Sequence, residues 1–184
     1  MTRIKMSFCN TVVTKKALPK FDFDSYGSAF LARNFHKVRA LLSEQSDDIF
    51  KEVGASIPSH CASLVLFLHD NKQAPVMKIA AALDYSYQLI NQRLAILEKQ
   101  GCVEKFPDPA DRRRTLVTLS KRGKNEVTKI RRALKIIDCG IDNLLFEMNV
   151  NLLQDSARAA NALMSTPLSR RAQKTKRTTR KKTS

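Results

Sequence analysis

Long apolar runs are missing from this chain. None approaches the roughly 18 residues that a membrane-spanning helix needs. The first residues, Met1-Thr2-Arg3-Ile4-Lys5-Met6, are followed by polar Ser7, Asn10 and Thr11. They lack the continuous apolar stretch and small-residue cleavage site of a secretory signal, which predicts a cytoplasmic protein. Cysteine is sparse and unpaired in sequence: Cys9, Cys61, Cys102 and Cys139 form no CxxC, and His36, His60 and His69 are equally scattered. Zinc-ligand spacing is therefore absent, and the thiols read as reduced core fillers, with no metal and no cofactor expected. The sequence also shows no Gly-rich phosphate loop and no nucleophile–base–acid set, so no catalytic residue is assigned and an enzyme is not expected.

Acidic residues are scarce too. Lys and Arg number 33 against 17 Asp and Glu, a formal charge of +16. Such an excess favours polyanionic partners, nucleic acid before anionic membrane. Half of it lies at one end. Residues 165–184 hold Arg170, Arg171, Lys174, Lys176, Arg177, Arg180, Lys181 and Lys182 with no acid. Lacking an apolar set to offset its ordering entropy, this segment reads as a disordered basic tail.

What remains is periodic. Residues 1–28 read as an N-terminal arm whose aromatics, Phe21, Phe23 and Tyr26, pack on something. Leu31, Phe35, Val38, Leu42 and Ile49 recur at helical spacing and predict a helix from Phe30 to Val53. Gly54 and Pro58 end it and open a second helix from Ser59 to His69. A short helix from Val76 to Leu83 and a longer one from Tyr87 to Gln100 follow, with Ser86 as N-cap and Gly101 as the stop. The period then becomes two. Residues 102–106 and 115–119 read as short strands around a basic loop, Pro107-Asp108-Pro109-Ala110-Asp111-Arg112-Arg113-Arg114. Ser120 caps a long helix in which Val127, Ile130, Leu134, Ile137, Ile141, Leu144 and Met148 step alternately by 3 and 4. Asn149 or Asn151 breaks the chain, and a final helix runs to about Met164.

Helix, helix, short helix, turn, longer helix and hairpin is the winged helix-turn-helix plan. The expected fold is mainly α with a small β-hairpin wing, plus a helical dimerisation region. A major groove admits one helix, and the wing lies beside it. On the longer helix, Ile90, Leu94 and Leu97 form the buried stripe, leaving Ser86, Tyr87, Gln88, Asn91, Gln92 and Arg93 as candidate DNA contacts. Asn and Gln can pair bidentately with adenine, and Arg with guanine.

The residues from Ile79 to Ser86 resemble the first helix and turn of the MarR family of multiple-antibiotic-resistance regulators. Leu94 to Lys105 resembles the end of its recognition helix and the first wing strand, and Asp108 to Gly123 its wing signature. Asp84 stands where that family usually has Gly, and Asn91-Gln92 where it commonly has Ser or Thr followed by Arg. The resemblance implies a MarR-like domain at 29–164, with the winged helix at about 58–120 and dimerisation helices at about 30–53 and 121–164. It also implies an Arg inserted into the minor groove: Asp111 and Arg113 match that element, with Arg112 and Arg114 flanking. Ile130, Leu134, Ile137, Ile141 and Leu144 become the candidate dimerisation residues. The expected function is a sequence-specific double-stranded DNA-binding transcriptional regulator, a homodimeric repressor on a palindromic operator released by a small aromatic effector. A less specific architectural or RNA-binding winged helix is the alternative.

Overall fold

The computed structural model describes residues 22–111 and 113–172. The arm before residue 22, Cys9, Arg112 and the tail beyond residue 172 lie outside the described residues. The chain divides into two compact units, residues 1–41 and 42–184.

In the first unit, a 3-10 segment Asp24–Phe30 leads into the helix α1, Leu31–Glu52, whose residues from Leu42 onward belong to the second unit. Phe23 and Tyr26 each meet the Phe30 ring edge-on, with centroids 5.2 and 5.5 Å away, and the Arg33 guanidinium lies 3.8 Å over Phe23. Leu31, Phe35 and Val38, part of the periodic stripe that marks this helix in the sequence, are exposed.

The second unit holds the winged helix. A 3-10 turn, Ser59–Cys61, starts the helix α2, Ala62–Asn71. Strand β1, Gln73–Pro75, α3, Val76–Ala82, and α4, Tyr87–Lys99, follow. Strands β2, Val103–Pro107, and β3, Thr115–Leu119, precede α5, Lys121–Met148, and α6, Leu152–Ser165. The sheet is antiparallel in the order β1-β3-β2.

The expected hairpin is thus a three-stranded sheet. β1 was not legible because three residues carry no period, and Pro75 argues against a strand. It forms because Ala74 is buried opposite Val117, while the Thr118 hydroxyl donates to the Lys72 carbonyl at 2.8 Å. Proline is tolerated at this edge, where its missing N–H costs no ladder bond. Pro107, placed in the loop by its sequence, ends β2 and pairs in register with Thr115.

The caps explain the boundaries. Ser86 Oγ accepts from the Leu89 amide at 3.2 Å, Ser120 Oγ from Gly123 at 3.1 Å and Asn151 Oδ1 from Gln154 at 3.1 Å. Each satisfies a donor that the first helical turn leaves open. Asn149 takes the left-handed φ of 51° that ends α5. Residues 168–172, expected within the disordered tail, are helical. The Arg171 guanidinium donates to the carbonyls of Thr166 at 2.9 Å and Ala162 at 2.6 Å.

One core binds this unit. Phe50, Leu64, Leu68, Ile79, Ile90, Leu94, Leu97, Val117 and Ile130 are essentially without solvent contact. Their apolar area supplies the main driving force for folding. Glu126 is the buried charge among the described residues, 3% exposed. Its carboxylate accepts from the Ser56 amide at 2.8 Å and pairs with Lys129 at 2.8 Å. Burial pushes this carboxyl up, but Lys129 and the Ser56 amide together outweigh it and leave it below the usual value.

Candidate nucleic-acid interface

The site is built by three elements. α3 ends at a turn in which Asp84 has φ 52°, the left-handed conformation that Asp tolerates better than most residues. The turn lets α4 leave α3 at an angle. Ile90, Leu94 and Leu97 fix one side of α4 in the core. At 100° per residue, Gln88, Gln92, Ala95 and Lys99 then fall on the opposite, exposed side. Ser86 and Tyr87 are exposed at its N-terminal end.

The wing tip is ordered by its two aspartates. Asp108 Oδ1 accepts from the Ala110 amide at 2.9 Å. Asp111 Oδ1 accepts from the Arg113 amide at 3.1 Å, and its other oxygen lies 3.2 Å from Arg114 Nε. The Arg114 amide donates to the Asp111 carbonyl at 2.8 Å, and the Asp108 amide to the Arg114 carbonyl at 2.9 Å. Asp111 therefore orients the loop and Arg114, and Arg113 is left exposed.

A cleft of about 530 Å³ separates the wing from the helices. It is lined by Met77, Lys78, Tyr87, Arg113, Arg114 and Thr115, with Pro75 and Val76 at its base. The fold thus brings Tyr87 together with Arg113 and Arg114, which lie 26 and 27 positions away in sequence. Met77 and Lys78 were missed. Both are exposed on the first turn of α3, where Val76 and Ile79 are buried, so the helical period alone could have placed them outward.

Two expected contacts sit differently. Arg93 lies on the shoulder of the buried stripe rather than on the outward face. Its guanidinium stacks 4.2 Å over the Tyr85 ring, and its Nε and Nη1 are buried without hydrogen-bond partners. The Arg93 guanidinium beside it holds the Tyr85 phenol below its usual value. In this position Arg93 packs on the residue that follows the α3–α4 turn. Asn91 folds back, donating to the Tyr87 carbonyl at 3.0 Å, so its amide is engaged within α4. Gln92 is exposed.

The heptad seam also divides. Val127 and Ile130 are buried in the core of their own unit, so Ile130 offers no surface to a partner. Ile137 packs partly against that core. Leu134 and Leu144 are 37% and 42% exposed, and Ile141 is half-buried.

Residues 56–114, spanning α2 to the wing tip, match the family model described as the MarR family. The match spans the winged-helix segment, 59 of the 184 residues. No curated protein matches the chain. Among solved structures, a mutant MarR from E. coli complexed with operator DNA is 17% identical, with a TM-score of 0.56 over 80% of this chain and 99% of that one. The transcriptional regulator BldR from Sulfolobus solfataricus is 14% identical, with a TM-score of 0.54 over 79% and 99%. A probable transcriptional regulator from Pseudomonas aeruginosa is 19% identical, with a TM-score of 0.51 over 73% and 98%. At such identities the likeness establishes the MarR fold, a mostly helical chain with a small antiparallel sheet. No helix among the described residues is long and apolar enough to cross a membrane.

Proposed function

We propose that the chain is a sequence-specific, duplex DNA-binding transcriptional regulator. The observation that carries this reading is the cleft shared by the N-terminal end of α4 and the two wing arginines. A recognition helix with exposed Gln88 and Gln92 offers donors and acceptors to base edges, and a guanidinium held beside it fits a narrow minor groove. The operator complex of the E. coli relative, a protein of the same fold, supports the assignment.

The regulator works as a homodimer on a palindromic operator and acts as a repressor. Support for the dimer comes from unburied apolar side chains. Leu134, Leu144 and Met148 on α5 and Leu153, Leu163 and Met164 on α6 are exposed, and α6 buries no residue within its own unit. Exposed apolar patches on this scale mark interaction surfaces. Release by a small aromatic effector is the remaining part of the proposal and follows from family resemblance.

The test is a titration of the full chain on a duplex that it recovers from a random pool and on a scrambled duplex, at one salt concentration. Preference of roughly 10³-fold or more is expected of a specific regulator. Equal affinity for both would favour the less specific architectural or RNA-binding reading.

A further inference from the structure

Among the described residues of the winged-helix unit, a second concentration of positive charge lies on α5, away from the site just described. Lys121, Lys124, Arg131, Arg132 and Lys135 are all exposed on α5. At 100° per residue they fall within one arc of about 100°, opposite the buried Val127, Ile130 and Ala133. Asn125 and Thr128 are the exposed polar residues interspersed with them. None of the five has an ion-pair partner among the described residues. Glu126, the one acid in this half of α5, is turned into the core toward Ser56 and Lys129.

Helix stability does not explain this pattern. Cations near a helix N-terminus oppose the macrodipole, and α5 has no acid in its first turn. Lys121 with Lys124 and Arg131 with Lys135 are like-charge neighbours at three and four residues, which also costs helix stability. An arrangement unfavourable to its own helix calls for an external polyanion.

We propose that these five residues form a second phosphate-binding face, which holds DNA flanking the segment read by α4 and the wing. The inference rests on the DNA-reading assignment above. Its geometry follows from the packing of α5 against the far end of α4. The Ser120 amide donates to the Cys102 carbonyl at 3.0 Å, and the Ser120 hydroxyl donates to the Gly101 carbonyl at 2.6 Å. α4 is 13 residues long, so the face begins about 20 Å from the reading end. That separation places it beyond the groove being read, and the flank must bend to reach it, which duplex DNA does at a sequence-dependent cost. Flanking DNA is favoured over a separate duplex because its tether gives a high effective concentration. DNA is favoured over a membrane because a helix lying in a lipid interface must bury an apolar face. The apolar face of this half of α5 is already in the protein core.

The test uses the full chain and a duplex that it recovers from a random pool, made as the minimal site and with about 25 base pairs added on each side, long enough for an appreciable bend. One variant carries Lys124→Gln, Arg131→Gln, Arg132→Gln and Lys135→Gln, and a milder one carries Arg131→Gln and Lys135→Gln. All four positions are exposed and the changes relieve like-charge contacts, so helicity by circular dichroism is expected to persist, with the milder variant as a second reading. The native chain should bind the flanked duplex more tightly. Its log–log salt slope should be steeper there by about 0.9 per added phosphate contact, reaching roughly 4.5 when all five residues are engaged. The variants should lose that difference in proportion to the charges removed and keep their affinity for the minimal site. Flank dependence that survives in both variants, or is absent from the native chain, overturns the inference while leaving the reading intact. Capture of a separate duplex in place of flanking DNA also overturns it. So does variant-sensitive binding to phosphatidylserine vesicles without flank dependence. If neither duplex is bound at all, the DNA-reading assignment itself fails.

Discussion

The joint between recognition helix, wing and α5 turns on one residue. Gly123 is buried in the first turn of α5. A Cβ added there would lie 2.0 Å from the Cys102 carbonyl oxygen and 3.0 Å from its carbon. Ordinary non-bonded contact needs roughly 3.5 Å, so Gly123→Ala must drive the two segments apart by more than an ångström. The obstacle is backbone and cannot rotate away. The same carbonyl accepts from the Ser120 amide at 3.0 Å, and that bond is strained with it. Overpacking costs about 1–3 kcal/mol and a lost hydrogen bond about 0.5–1.5 kcal/mol. Alanine returns roughly 1 kcal/mol through its better helix propensity. Overpacking wins, and the net loss is about 1–3 kcal/mol. For a chain of this size, that lowers Tm by roughly 2–4 °C per kcal/mol. Urea titration and thermal unfolding of both proteins at equal concentration measure it. A variant as stable as the native chain would refute the close approach of α5 to Cys102.

Other expectations follow from the same packing. Glu126→Ala should cost about 1–3 kcal/mol at neutral pH, since it strands the Ser56 amide; chemical denaturation reads the loss. Because the Glu126 carboxyl titrates below its usual value when folded, its contribution is present above that usual value and fades as pH falls through the lowered one. The stability gap between the native chain and Glu126→Gln should narrow on acidification, and a gap that widens would reverse the sign. Burial pushes the Cys61 thiol up to about 11 and raises Cys102 as well, so neither should react with a maleimide in the native protein, whereas exposed Cys139 should. Mass spectrometry of the labelled chain reports which sites react. Leu144→Asp should dissociate a homodimer without unfolding the protomer, because Leu144 lies outside the core, unlike Ile137. Light scattering that shows an intact dimer would remove α5 from the interface.

The helices were legible because their caps are local. Ser86, Ser120 and Asn151 announce helix starts from a single side-chain oxygen, and Gly101 a stop from its φ of 67°. β1 was not, because its reasons are tertiary: Ala74 needs Val117 opposite it. The site was legible in its two halves, the polar face of α4 and the basic loop. Periodicity gives an angular position, but not which shoulder of a helix a neighbour covers. Arg93 shows this: the sequence places it on the polar side of α4, and the structure stacks it on Tyr85 at the shoulder of the buried stripe. The seam of α5 likewise has one period but two destinations, core at Ile130 and exposed surface at Leu144.

In the proposed reading, α4 reads bases while the wing grips the duplex beside it. Operator and scrambled-duplex titrations of Gln92→Ala and Arg113→Ala at fixed salt test it most directly. Base contacts specify and phosphate contacts position. Gln92→Ala should therefore weaken operator binding by about 1–3 kcal/mol and leave scrambled-duplex binding nearly unchanged. Arg113→Ala should lose a comparable amount on the operator with the protein still folded. Equal losses on both duplexes for Gln92→Ala, or undiminished operator affinity for both variants, would contradict the account.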